Sequence, residues 1–366
     1  MELTIALIGG KDGLLDLIIE QFIIAIAIFV AIVPEGLPII LVITLSLGMR
    51  NMARHRAIIR RMKAVETLGS TTVICSDKTG TLTTNQMTAR TMSLLDRDFQ
   101  VTGEGYAPTG GLREDGKELD DAAMADLRGR LDFHLLSSAL SLCHNAAISK
   151  IEGSWQGLGD PTDVACAVLG SKIHGDVRTF RDANPRRWEE GFDSVRKRMS
   201  VVHNIDGKDW VLVKGASRAV VSASTHRFEG SEVQPLTEED LDAFRQTVLE
   251  KGSMALRVIA IAARPLEAGE SPGPEETVEH GLILLGCVGI IDPPRPEVAD
   301  AIERCHRAGI RVKMITGDQS TTAAAIANEL GIHGTEVGGA ELAVMDEVHL
   351  KSIVDGTAVF SRVTPV

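Results

Sequence analysis

The sequence predicts an α/β protein: a Rossmannoid domain, a long α+β insert within it, and a broken transmembrane helix in front. Three observations predict it. An apolar strand, Thr72-Val-Ile-Cys75, runs into the turn Asp77-Lys-Thr-Gly-Thr81, and the end of a strand is where an α/β sheet presents its reactive groups. A second strand, turn and helix, Arg311-Val-Lys-Met-Ile-Thr-Gly-Asp318 followed by Thr321–Leu330, repeats that arrangement far along the chain. Between Gln21 and Met49 the only charged side chain is Glu35, whereas about 20 apolar residues suffice to cross a bilayer.

The membrane segment comes first. Asp12, Asp16 and Glu20 precede it, while Arg50, Arg54, Arg56, Arg60, Arg61 and Lys63 follow with no acid between Gly36 and Val65. The positive-inside bias therefore puts residues after about 50 in the cytoplasm. Residues 1–16 read as an extracytoplasmic loop and 17–50 as a span in the lipid bilayer, broken at 34–38. Pro34 and Pro38 each remove a backbone donor, which leaves the carbonyls of Val30 and Pro34 without helical partners. Unwound backbone at membrane depth must be satisfied by something, and an ionisable Glu35 at the break reads as part of an ion or proton pathway. Freed carbonyls with a carboxylate make a hard-oxygen site suited to Ca²⁺ or a similar divalent cation. The alternative is a proline kink beside a neutral Glu35.

The cytoplasmic remainder divides into 51–88 and 292–366, each carrying one of the two strand-and-turn segments, around the insert 89–291. Asp77 can attack a phosphoryl group if its charge is offset by Lys78, a metal ion and the N–H groups of a glycine-containing turn. A capped strand-to-helix turn is the alternative. Within the insert, the Gly- and acid-rich stretch from Gly103 to Asp121 reads as surface loops, followed by a helix near Leu131–Cys143. Gly159-Asp-Pro-Thr-Asp163 opens an apolar helix, and Asp163 suits a helix N-terminus.

Phe192 offers a flat face for an adenine, Lys197 and Lys214 offer charge for phosphate, and Gly215 allows a close approach. Each of these alone also suits core packing or a solvated face. The segment Glu267–Glu279 reads as a polar loop. Leu282–Ile291 is a continuous apolar strand that ends at Asp292-Pro-Pro-Arg295, and Pro296 and Gly309 bracket a helix at 297–308. A formal net charge of −12 excludes a nucleic-acid surface. The five cysteines (Cys75, Cys143, Cys166, Cys287, Cys305) are scattered, which suits a reducing compartment.

The run Val65–Met87 resembles the phosphorylation segment of P-type cation-transporting ATPases, closest to the calcium-pump branch. The resemblance implies that Asp77 becomes an aspartyl phosphate and that the Thr79 carbonyl ligates Mg²⁺ beside it. Val33-Pro-Glu-Gly-Leu-Pro38 is similar to the broken fourth helix of such pumps. There the carbonyls matching Val30, Ala31 and Val33 and the acid matching Glu35 hold a transported ion. Sodium/potassium pumps usually carry Leu at the position of Pro38, which favours calcium.

The resemblance further assigns Thr162, Asp163, Phe192, Lys197, Lys214, Gly215 and Arg257 to an ATP pocket. Asp163 replaces the family's usual Glu, and Ser194 stands where members carry Arg, with Arg196 close by. Asp292-Pro-Pro-Arg295 matches the family's hinge. Thr316 and Gly317 match its second phosphate motif, with Asp318 orienting the loop. The implied fold is a haloacid-dehalogenase-like phosphotransfer core with an inserted nucleotide-binding domain. Thr102-Gly-Glu104 copies a motif that pumps carry in an earlier actuator domain, and it is assigned no catalytic role.

The sequence lacks the family's later catalytic lysine, its Thr-Gly-Asp-Gly-Val-Asn-Asp acids, the actuator domain and the other membrane helices. It is therefore expected to be a fragment of an ATP-driven cation transporter that binds ATP weakly and phosphorylates Asp77 slowly or not at all. Transport would need the missing pump segments. The alternatives are a non-catalytic nucleotide- or partner-binding remnant and a membrane-anchored phosphatase. Such phosphatases carry an Asp general acid where this chain has Thr79.

Overall fold

The computed structural model describes residues 11–32, 36–267, 269–270, 273 and 278–363. It divides into two compact units, 1–72 and 73–366, each described by itself.

In the first unit, helix Lys11–Ile32 is followed by helix Leu37–Arg54 and a short helix, Met62–Gly69. Gly36 is the cap of the second helix, with Pro38 in its first turn. Val33, Pro34 and Glu35 lie outside the described residues. Val30 and Ala31 sit in the last turn of the first helix, where carbonyls lack an i+4 partner. The stretch Leu15–Arg54 is long and apolar enough to cross a membrane. Its large side chains, among them Phe22, Phe29 and Leu41, are exposed. The second helix outlasts the predicted span because Arg50 and Arg54 continue it, and a basic last turn favours the helix dipole.

The second unit contains two main sheets. The smaller has four parallel strands in the order Val73–Asp77, Arg311–Ile315, Thr357–Ser361, Thr335–Gly338. Parallel strands need crossover connections, and helices Val298–Arg307, Ser320–Glu329 and Glu347–Ile353 lie in them. Val312, Met314 and Val359 from the strands pack with Ile302, Ile326 and Leu330 from the helical segments.

The larger sheet is mostly antiparallel and is built around Leu282–Ile291, every residue of which is buried. That explains its unbroken apolar sequence, since both faces are covered. Strand Lys208–Ala216 shows how the faces divide. Trp210 and Leu212 join a core with Phe133, Leu140 and Leu169 from helices Leu131–Leu142 and Pro161–His174. Val211 and Val213 face Val220 and Phe244 from helices Ser217–Ala223 and Glu238–Ser253. Alternation with period two sends neighbouring residues to opposite layers.

The crossing between the sheets is tied by Asp292. Its buried carboxylate accepts hydrogen bonds from the Thr83 hydroxyl at 2.5 Å and the Gln86 N–H at 3.2 Å. Arg295 donates to the Thr83 and Gly80 carbonyls, both at 3.1 Å. Both passages of the chain are thus held at one point, which two stiff prolines alone would not achieve.

The Gly103–Asp121 stretch is only partly loop. The segment after Thr102 closes through Thr102 N–H to Gly111 O at 2.9 Å, and strands Leu112–Glu114 and Lys117–Glu118 then extend the edge of the large sheet. These strands are too short to show alternation. Thr102 has a structural role here, since its carbonyl also accepts from Lys172 Nζ at 2.6 Å.

Gly286 adopts φ +153 opposite an irregularity in the strand pairing, and a Cβ there would lie 1.9 Å from the Ser93 carbonyl oxygen. Gly286→Ala should destabilise the 73–366 unit by about 2 kcal/mol or more, read from the midpoint of urea unfolding.

His203 is buried between two elements. Its Nδ1–H donates to Asn184 O at 2.6 Å, and its Nε2 accepts from Arg186 at 3.4 Å. Burial, then the Arg186 and Arg181 charges, outweigh the Asn184 bond and push its pKa down to about 4. The folded value lies below the unfolded one of about 6.5. The stability it contributes above the unfolded value is therefore lost as pH falls from about 6.5 through 4, by at most about 3 kcal/mol. Melting temperature measured across that window should fall, and fall less steeply in His203→Gln.

Candidate functional site

The pairing of Val73–Asp77 with Arg311–Ile315 is in register, with Asp77 opposite Ile315. Two turns therefore leave the sheet side by side. In the first, Asp77 is extended at φ −66, ψ 145, and the chain reverses through Gly80 at φ +73. The Gly80 N–H donates to Thr83 Oγ1 at 3.3 Å, which connects this turn to the Asp292 clamp. In the second turn Thr316 is buried and its hydroxyl accepts from the Asp318 N–H at 3.1 Å. The 360–363 segment holds this turn from behind, through Thr316 N–H to Phe360 O at 2.9 Å and Arg362 N–H to Asp318 O at 3.0 Å. Lys78, itself buried, forms an ion pair with the Asp318 carboxylate and so joins the two turns directly.

Lys78, Thr79, Gly317 and Asp318 line a cleft of about 560 Å³. A Cβ on Gly317 would meet only the Val363 carbonyl, at 3.9 Å. Packing does not require glycine here, and the backbone at this position is open to the cleft. Helix Ser320–Glu329 begins at the same wall, and its N-cap residue, Gln319, makes no side-chain capping bond. The first-turn N–H groups of such a helix are suited to an anion. Asp77 is exposed beside Lys78, and among the described contacts no donor occupies its carboxylate. Thr79, also exposed, follows two residues on.

The opposite wall comes from the insert. Arg257 donates to Thr162 Oγ1 at 3.1 Å, and both line the cleft. Helix Pro161–His174 is capped by Asp160, whose carboxylate accepts from Thr162 N–H at 2.8 Å. Asp163 is the acid of that helix's first turn, as its sequence position suggests, and forms an ion pair with Lys214. Lys214 is buried, and burial opposes its charge. The Cys166 and Cys143 sulfurs and the Asp163 carboxylate nevertheless hold its ammonium above the ordinary value. Its charge is committed to Asp163.

Gly215 admits protein backbone, since a Cβ there would lie 2.5 Å from the Lys197 carbonyl oxygen and 2.6 Å from Arg198 Cβ. Lys197 lies in that tight turn at φ +56, with its side chain exposed. Phe192 is exposed nearby in sequence. Arg196 lies two residues beyond Ser194. It bonds the buried Glu279 carboxylate at 2.7 Å.

The structure therefore gathers the predicted residues into two linked groups. Lys78, Thr79, Gly317 and Asp318 share the cleft with Thr162 and Arg257, with Asp77 and Thr316 at the adjoining strand ends. Asp163, Lys197, Lys214 and Gly215 form the second group, joined to the first through the Thr162–Asp163 bond. Asp292 and Glu279 escaped the sequence reading, because one reads as hinge chemistry and the other as an acid in a polar loop. Val33 and Glu35 fall outside the described residues, and no group of three or more metal-ligating side chains occurs among those that are described.

Residues 132–297 match the family described as P-type ATPase, cytoplasmic domain N. Over nearly its whole length the chain also resembles curated transport proteins. It is 37% identical to a calcium-transporting ATPase of Bacillus subtilis (strain 168), an alignment covering 99% of this chain and 40% of that protein. It is 36% identical to the cation-transporting ATPase pma1 of Synechocystis, covering 95% of this chain and 38% of the relative. With the probable cation-transporting ATPase F of Mycobacterium tuberculosis (strain ATCC 25618 / H37Rv) the identity is 39%, at the same two coverages. The chain thus spans about two fifths of the length of these relatives.

Removing one partner of a buried ion pair strands the other. Lys214→Met should destabilise the insert by about 2 to 3 kcal/mol, less than for a fully enclosed pair because Asp163 is partly exposed. Adding Asp163→Asn should recover much of that loss, measured by urea unfolding of the single and double variants.

Proposed function

Because this chain belongs to the P-type ATPase family, we propose that it carries the nucleotide-binding and phosphoryl-acceptor segments of an ATP-driven cation transporter, with Asp77 as the acceptor. The observation that carries this reading is the in-register strand pair, which sets Asp77 beside Thr316-Gly317-Asp318 at the mouth of a cleft also lined by Thr162 and Arg257. The four-stranded parallel sheet is, on this reading, a haloacid-dehalogenase-like core, and 89–291 is the nucleotide-binding domain inserted in it.

Adenine stacks on the exposed ring of Phe192, and Lys197 meets the phosphates. Arg257 and Thr162 hold the nucleotide from the far wall. The open backbone at Gly317 and the uncapped start of helix Ser320–Glu329 receive the terminal phosphate. An Asp77 carboxylate oxygen then attacks the γ-phosphorus as the bond to the bridging oxygen breaks, and ADP leaves with that oxygen's electron pair. Asp77 and Thr79 would hold Mg²⁺, which offsets the phosphate charge during transfer. Their exposed position and the unoccupied Asp77 carboxylate fit that role.

The relatives' printed names favour calcium or another cation as cargo. Helix Lys11–Ile32 ends with Val30 and Ala31 in its last turn, offering two carbonyl oxygens toward such a site. Residues after about 50 would lie in the cytoplasm, where ATP is available. For the isolated chain we expect slow transfer. Asp318, the second carboxylate at these turns, is held by Lys78, so Mg²⁺ gains few protein oxygens.

Incubating the purified chain with γ-³²P-labelled ATP and Mg²⁺ tests this. A slow, acid-stable label that is absent in Asp77→Asn is expected. Tight ATP binding with no label would instead leave a nucleotide-binding module without transfer.

A further inference from the structure

Glu279 is the most enclosed carboxylate described in the molecule, with no exposed side-chain area. It emerges from a Pro-, Gly- and acid-rich stretch, yet it turns inward onto strand Arg198–Ile205 and the turn before it. One oxygen, Oε1, accepts from Arg196 Nη1 at 2.7 Å and from the Ser200 hydroxyl at 2.6 Å. The other, Oε2, accepts from Arg198 Nε at 2.5 Å. Burial alone pushes the carboxyl upward, but the Ser200, Arg198 and Arg196 bonds prevail and hold its pKa below the ordinary value. It is therefore an anion with bound arginines at neutral pH.

Arg196 and Arg198 flank Lys197. With both of them drawn to one buried carboxylate, the residue between them cannot follow. It takes the left-handed backbone at φ +56, uncommon for a residue with a side chain. The turn is closed by Lys197 N–H to Asp193 O at 2.7 Å and pinned to the neighbouring strand by Ala216 N–H to Lys197 O at 2.9 Å. Gly215 makes room for it. The outcome is that the one cation of the three that is exposed is Lys197.

We propose that Glu279 is a positioning residue for nucleotide phosphate: by anchoring Arg196 and Arg198 it forces Lys197 outward and fixes where its charge is presented. This rests on the nucleotide-binding reading above and adds a residue that lies behind the site.

The test is calorimetric affinity for ATP, without metal, compared with affinity for adenosine, which has no phosphate. The proteins are the full chain, Glu279→Gln, Lys197→Ala and the double variant. Glu279→Gln should weaken ATP about tenfold, the scale of a displaced charge-assisted contact, and leave adenosine within about twofold. Because Glu279 acts through Lys197, the double variant should be no weaker than Lys197→Ala alone. Arg198→Gln, which removes one anchor from a partly exposed position, should weaken ATP in the same sense, and it carries the test if Glu279→Gln does not fold. Unchanged ATP affinity in the folded variant, equal losses for ATP and adenosine, or additive losses in the double variant would each overturn the proposal. A parent chain that binds neither ATP nor adenosine would overturn the nucleotide reading itself, and the positioning role with it.

Discussion

The parallel pairing of Val73–Asp77 with Arg311–Ile315 is the contact on which the 73–366 unit depends, because it joins two segments separated by the whole insert. Closing so large a loop costs chain entropy, and a five-residue strand at a sheet edge contributes few contacts toward it. Two further ties make up the difference. Asp292 gathers Thr83, Gln86 and, through Arg295, the turn after Asp77. Lys78 reaches across to Asp318. Each tie uses a charged side chain at the joint between the insert and the smaller sheet, so the geometry of the two turns is held by the same groups that hold the insert in place.

The insert solves a different problem. Its strand Leu282–Ile291 is covered on both faces by helices and forms a rigid floor for the cleft. Its buried charges, Lys214 with Asp163 and Glu279 with Arg196 and Arg198, lie around the elements that present Thr162 and Lys197. A buried pair adds little net stability over an apolar one. What these pairs supply is direction, since a misplaced partner leaves an unpaired charge in a low-dielectric interior. The turn after Asp77 and the elements that carry Thr162 and Lys197 are thus both positioned by buried ions, while Asp77, Thr79, Lys197 and Phe192 are left exposed.

Residues within a few positions of one another were legible before any fold was known. The unbroken apolar run located the strand at 282–291, and proline and glycine located the limits of the helix near 298–307. Asp77 and Thr316 were visible at strand ends because an apolar run that stops at a polar, glycine-containing turn is a local signature. Strands Leu112–Glu114 and Lys117–Glu118 were read as loop, since they are too short to show a period and exist only by pairing along an edge.

The sequence by itself determined which residue types can do chemistry and in which turns they sit, because those properties depend on neighbours along the chain. Only the tertiary structure decided which charges are used inside the protein and which are offered outside it. Lys78 is taken by Asp318, Lys214 by Asp163 and Arg196 by Glu279, while Lys197, equally basic in the sequence, stays exposed. The physical reason is that a cation's role follows from the carboxylate it is buried against, and each of these partners lies tens to hundreds of residues away.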